Sequence, residues 1–190
     1  MLSLAGCATP LSPVEVTRFH LPDSAALGHG TLAVVAAPGA DPASLEQQGW
    51  QALVAERLVA LGYTSAPADS ATQIATVAVT RETSQPAQPA RSPVQVGVSG
   101  ATGSYGSGLG LGLSFNLSPK PAPQVTTQLA VTIRDRASGT TLWEGRSRFT
   151  VAATSPYAGG QLAGAQLASA LFAGFPGQSG ETITVQPPAQ

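Results

Sequence analysis

Cys7 is the only cysteine in 190 residues, so its thiol cannot be half of an internal disulfide. It follows Leu4-Ala5-Gly6 at the end of a short apolar run. A thiolate is the best available nucleophile for taking up a lipid, and small residues before it fit a tight peptidase site. The residues after it, Ala8 to Pro13, are small, polar or Pro, as in a tether. Other chemistry is sparse. His20 and His29 are the only histidines, with Asp23 the one acid close to them, and no H-x-x-x-H or paired-cysteine spacing adds further donors. Neither a metal nor a cofactor is expected. Serines are plentiful, yet there is no G-x-S-x-G elbow and nothing favours a Ser–His–Asp arrangement. Asp135 and Glu144 lie nine residues apart across a turn, which suits a surface position better than a glycosidase pair. Arg134, Arg136, Arg146 and Arg148 could meet the phosphates of lipid headgroups or lipopolysaccharide. With Asp135 and Glu144 they read more simply as cross-strand pairs that keep a sheet edge soluble.

Leu4-Ala5-Gly6-Cys7 resembles the lipobox of bacterial lipoproteins: Leu at −3, two small residues, then Cys. The resemblance implies a diacylglycerylated thiol, removal of the preceding segment and acylation of the new amino terminus. Such a chain lies on a membrane without spanning it. Two or more acyl chains, at about 0.8 kcal/mol per buried CH₂, hold it essentially permanently. Ala8 stands where an Asp would favour inner-membrane retention, so the implied address is the periplasmic face of the outer membrane. Only Met1-Leu2-Ser3 precede Leu4, without a positive residue or a full apolar region. The natural start is therefore expected upstream.

Composition bounds the partners. Apolar residues make up 43% of the chain, enough for a real core, while charged residues are 10% against about 25% in typical domains. The net charge is −1. No basic stripe points to nucleic acid, and no acidic tail points to a charged partner. Past the leader, no apolar run approaches the 18 or so residues of a spanning helix.

The elements follow from periodicity. Residues 1–13 read as truncated leader, lipobox and tether, 14–176 as one α+β domain, and 177–190 as a C-terminal strand and Pro-rich tail. Val14 to His20 alternates as a first strand, and Thr31 to Ala36 is a short buried strand. A helix is expected at about 42–61, capped by Asp41 with Pro42 in its first turn and stopped by Gly62. Its apolar face is Trp50, Leu53, Val54, Leu58 and Leu61, and Gly49 allows close approach to a strand. Ile74 to Thr80 alternates as a third strand, and 82–93 reads as a flexible insertion. Residues 94–100 and 108–117 alternate large apolar residues with Gly or small polar ones, as in a Gly-rich β-hairpin. Long strands at about 125–134 and 141–151 flank a turn at Asp135 to Gly139. A second helix at about 160–173 carries Leu162, Leu167, Leu171 and Phe172, and Thr182 to Val185 is a last strand. In Trp143-Glu144-Gly145, Gly145 relieves crowding beside the indole, while Leu142 and Trp143 face opposite ways.

The order of these segments, and above all Asp135-Arg136-Ala137-Ser138-Gly139-Thr140-Thr141-Leu142-Trp143-Glu144-Gly145, resembles the DUF4136 family of bacterial envelope lipoproteins. The D-x-x-(S/T)-G-x-x-(L/V)-W-x-G block covers 135–145, with looser similarity over roughly 14–175. The resemblance implies an α+β domain: a mainly antiparallel sheet with helices on one side. It implies no activity. Three functions compete on these grounds. The first is a noncatalytic lipoprotein, held to the membrane through Cys7 and acting as an interaction or assembly module with an envelope protein partner. The second is a small-ligand or glycan binder using the Gly-faced hairpin beside Tyr105 or Phe115. The third is an envelope hydrolase built on His20 or His29. Oligomeric state is left open.

Overall fold

The computed structural model describes residues 12–23, 25–85, 94–101, 108–115 and 122–186. Cys7, most of the expected 82–93 insertion, the Gly-rich tip with Tyr105 and the tail from Pro187 lie outside the described residues.

The period-two segments become strands. In chain order they are β1 (Val14–His20), β2 (Thr31–Ala36), β3 (Thr64–Ser65), β4 (Gln73–Ser84), β5 (Val94–Ala101), β6 (Gly108–Phe115), β7 (Gln124–Asp135), β8 (Thr141–Ala152) and β9 (Thr182–Val185); the helices are α1 (Leu45–Ala60) and α2 (Gly160–Phe172). The fold is α+β. Seven strands form one open sheet in the order β3-β2-β4-β7-β8-β1-β9. It is antiparallel except where β2 runs parallel to β3 and β4. β5 and β6 pair antiparallel as a separate two-stranded sheet.

Alternation sets which face is dry. Along β7 the buried residues are Val125, Thr127, Leu129, Val131 and Ile133; along β8 they include Trp143, Ser147, Phe149 and Val151. The helices pack on this face, joining Trp50, Val54, Leu58, Leu167 and Leu171 to one core. A fully buried aliphatic side chain contributes roughly 1.5–3 kcal/mol, so this layer is the main source of stability. The opposite face is solvated and rich in threonine. Thr126 and Thr150 share a hydroxyl hydrogen bond of 2.8 Å across β7–β8, as do Thr17 and Thr182 across β1–β9.

Several expectations are corrected. α1 starts at Leu45, three residues later than expected, because Ser44 is the cap: its hydroxyl accepts from the Gln47 amide at 3.4 Å. Asp41 instead closes a turn before the helix, accepting from the Ala43 amide. Gly49 faces Gln161 of α2 rather than a strand, and the tight glycine is Gly164, where a Cβ would lie 2.6 Å from Leu53 Cδ1. Leu162, expected inside, is 52% exposed, since α2 turns its first turn outward. Residues 82–84 are not an excursion. They pair with Gln124 to Thr126 and lengthen β4. Thr182–Val185 is a strand as expected, but it belongs to the domain placed at 14–176, forming an edge of the main sheet beside β1.

Candidate functional site

The arginine group on the turn and hairpin is divided by strand register. Arg148 lies opposite Glu15 and Arg146 opposite Thr17. Arg148 pairs with Glu15 at 2.9 Å, and Arg146 approaches Glu144 of its own strand at 3.6 Å. Both pairs lie on the solvated sheet face, where such interactions contribute about 0–1 kcal/mol. Asp135 makes no pair with them. Its carboxylate accepts from the Ser138 amide at 2.7 Å and the Ser138 hydroxyl at 2.8 Å, which hold it below the usual aspartate range. The acid thus shapes the β7–β8 turn, and the four arginines do not converge on one point.

Beside β9 the same face ends in an apolar corner. Phe19 is 44% and Leu21 40% exposed, and the Leu21 amide bonds the Leu142 carbonyl at 3.1 Å, which brings the two leucines side by side.

Arg18 occupies an inward position in β1 and is buried. Its Nε donates to the Leu171 carbonyl at 2.9 Å and Nη2 to the Ala170 carbonyl at 3.0 Å. Both carbonyls belong to the last turn of α2, where the Ala170 oxygen also accepts from the Ala173 amide at 3.4 Å, and a cation there meets the negative end of the helix dipole. Burial lowers the Arg18 pKa, and Glu181 works against that. Above it, Trp143 stacks on Phe172 at 5.6 Å, packs against Phe175 at 5.3 Å, and donates from Nε1 to the Pro176 carbonyl at 3.0 Å. His20 meets two carbonyl oxygens, Leu21 O at 2.7 Å and Gly177 O at 3.2 Å. Ser179 bonds the backbone of His20, not its ring. This arrangement fastens segment 175–181 to the sheet; it brings no hydroxyl and carboxylate to an imidazole.

A cleft of about 290 Å³ opens at the start of α1, lined by Asp41, Ser44, Glu46, Gln47, Trp50, Val79 and Arg81. Arg81 and Glu46 close one side at 2.7 Å. The hydrogen bond from Arg81 holds the Glu46 carboxyl below the usual glutamate range, and burial opposes it. Both charges therefore already have partners. Among the described residues, no group of three or more His, Cys, Asp or Glu could hold a metal ion, and no helix is long and apolar enough to cross a membrane.

Cys7, the one predicted site residue, lies outside the described residues, but the end of its tether is placed. Gln166 of α2 donates to the Ser12 carbonyl at 3.0 Å, and β1 begins two residues later at Val14. Register shows what else shares that end of the sheet. Glu15 faces Arg148, Val125 faces Val151, and Ser84 faces Gln124. The start of β1, the start of β7 and the end of β4 therefore lie together. Sequence reasoning missed this convergence, although the alternate burial of Val14, Val16 and Arg18 can be read from the strand's period of two.

No family model and no curated protein matches the chain. Among solved structures it is similar to the PelC dodecamer from Paraburkholderia phytofirmans, at 14% identity over 84% of this chain and 94% of that one, with a TM-score of 0.43. A point variant of that PelC dodecamer gives 0.44 at the same identity. A PDZ domain protein from Parabacteroides distasonis gives 0.46 at 10% identity, over 92% of this chain and 39% of that one. Likenesses this distant carry nothing about function.

Proposed function

We propose that this chain is a noncatalytic envelope lipoprotein of the DUF4136 type, anchored through acylated Cys7 at the periplasmic face of the outer membrane and acting as an interaction or assembly module. The observation that carries the reading is Leu4-Ala5-Gly6-Cys7 followed by a short tether. The fold supports it in two ways. Ser12 is already fixed to α2, and five residues extend at most about 18 Å, so an acylated Cys7 keeps the domain close to the bilayer. The sheet also offers an uncovered face with an apolar corner at Phe19 and Leu21, suited to a protein partner. In this reading β5 and β6 are the two arms of a Gly-rich hairpin.

The test is metabolic labelling with a palmitate analogue in a host supplied with a full export leader. Wild type takes up label and sediments with membranes, and Cys7→Ala does neither. Equal fractionation of the two proteins, without label, overturns the anchor.

A further inference from the structure

We propose that the domain stands on the bilayer surface with the first turns of α1 and α2 against it, Leu45 and Leu162 dipping into the lipid interface. The proposal rests on the anchor reading and adds an orientation to it. Leu45 is 84% and Leu162 52% exposed, the two highest values for large apolar side chains among the described residues. Ser44 already caps α1, so Leu45 in the next position serves neither the cap nor the core. Leu162 is likewise left off the face of α2 that buries Leu167 and Leu171.

Packing brings the two leucines to one end of the molecule. A Cβ on Gly49 of α1 would face Gln161 of α2, and one on Gly164 would meet Leu53 and Trp50. The contacts advance in the same sense along both helices, which therefore run parallel, side by side. Leu45 lies one turn before Gly49, and Leu162 adjoins Gln161. Both belong to the N-terminal end of the helix layer. Arg81, near the end of β4, is bonded to Glu46 in the first turn of α1. A Cβ on Gly159, the N-cap of α2, would lie 3.5 Å from the same guanidinium.

The chain from Cys7 arrives at this end. Gln166 holds the Ser12 carbonyl, and Leu162 precedes Gln166 by one turn on the same face of α2, about 6 Å along the axis. The five residues from Cys7 to Ser12 reach at most about 18 Å, so acyl chains at Cys7 bring the bilayer within a tether's length of this end. Val59, in the last turn of α1, is about 21 Å farther along its helix than Leu45. Two leucines would not hold a free domain on lipid. A tether raises the local concentration of the surface, and a small apolar contact then suffices to choose which end faces it. Charge plays no part in the choice: the cleft beside Leu45 holds Asp41 and the bonded Glu46–Arg81 pair, with no net positive charge to seek anionic lipid. In this orientation β1 climbs about 23 Å from Val14 to Leu21, which keeps the apolar corner at Phe19 and Leu21 clear of lipid and open to a protein partner.

The test supplies the anchor chemically. The full chain is coupled through the Cys7 thiol to a maleimide-bearing phospholipid in phosphatidylcholine nanodiscs that carry a nitroxide on their headgroups. Methyl-labelled leucine, valine and alanine are read by NMR. The nitroxide should broaden the methyls of Leu45, Leu162 and Ala43 and leave those of Leu21 and Val59 sharp, with no change on adding salt. Leu45→Asp together with Leu162→Asp should return the Ala43 signal to the intensity seen without nitroxide. Near-UV dichroism of Trp143 reports whether that variant keeps its core. Equal broadening at Leu45, Leu21 and Val59 overturns the proposal, since it means a domain with no preferred end. So does broadening at Ala43 that survives the double substitution, because the tether alone would then account for it. Shielding of both leucines from an aqueous gadolinium chelate, without broadening from lipid, overturns it as well, since protein would then cover them. The coupling does not depend on acylation in a cell, so the orientation and the anchor fail separately.

Discussion

The indole of Trp143 lies directly over the Cα of Gly145, two residues along the same strand. A methyl group on that glycine would sit 2.8 Å from Trp143 Cζ2 and 2.9 Å from Leu171 Cδ1. The glycine is thus the space in which the core's largest fully buried side chain rests. Gly145→Ala should destabilise the domain by about 1–3 kcal/mol, the cost of overpacking a close-packed core. Urea unfolding followed by Trp143 fluorescence measures it; an unchanged midpoint would mean that the indole has room to move.

Arg18 joins β1 to the end of α2 through two charge-assisted bonds. Arg18→Ala leaves the Ala170 and Leu171 carbonyls without these donors and should cost about 1.5–3 kcal/mol per bond lost. Arg18→Lys should recover only part of this, because an ammonium lacks the planar fork that reaches both carbonyls. Hydrogen exchange should show the last turn of α2 opening first in both variants.

Two buried hydroxyls make a matched pair. Ser147 donates to the Leu167 carbonyl at 3.0 Å, whereas Thr127 Oγ1 is buried with no hydrogen-bond partner among the described residues. Ser147→Ala should destabilise by about 1 kcal/mol, and Thr127→Val, which removes an unsatisfied group at constant shape, should stabilise by about 1 kcal/mol. Thermal melts of the two variants should move in opposite directions.

The Glu46 carboxyl is held below its ordinary value by Arg81. A depressed folded pKa adds stability above the ordinary glutamate value of about 4.3, and that stability is lost as pH falls through the folded value. Because the pair is solvent-exposed, Glu46→Gln should cost only about 0.5 kcal/mol at pH 7. The gap between wild type and variant should close on acidification, as read from urea midpoints across pH 2–7 by the linkage relation.

Much of the fold was legible because strand periodicity was strong. The bounds of β1 follow from alternation and from Pro22 as a breaker, and those of β2 from a short continuous apolar run ended by Pro38 and Gly39. The start of α1 was not legible. Asp41 and Ser44 are both good caps, and only the backbone decides which hydroxyl or carboxylate meets an amide. β3 escaped notice because two residues carry no period. Parity in β1 placed Arg18 inward and Phe19 outward, against the usual preference of each side chain, and the α2 carbonyls that compensate Arg18 lie about 150 residues away in sequence. The candidate anchor, by contrast, is entirely a sequence feature, since its recognition depends on four adjacent residues and not on tertiary contact.

Intact-mass and amino-terminal peptide spectrometry of the mature protein from membranes tests that anchor most directly. The account predicts a chain beginning at Cys7, with a diacylglyceryl group on sulfur and an acyl group on the new amino terminus. A free thiol at residue 7, with Leu4-Ala5-Gly6 still attached, would contradict it.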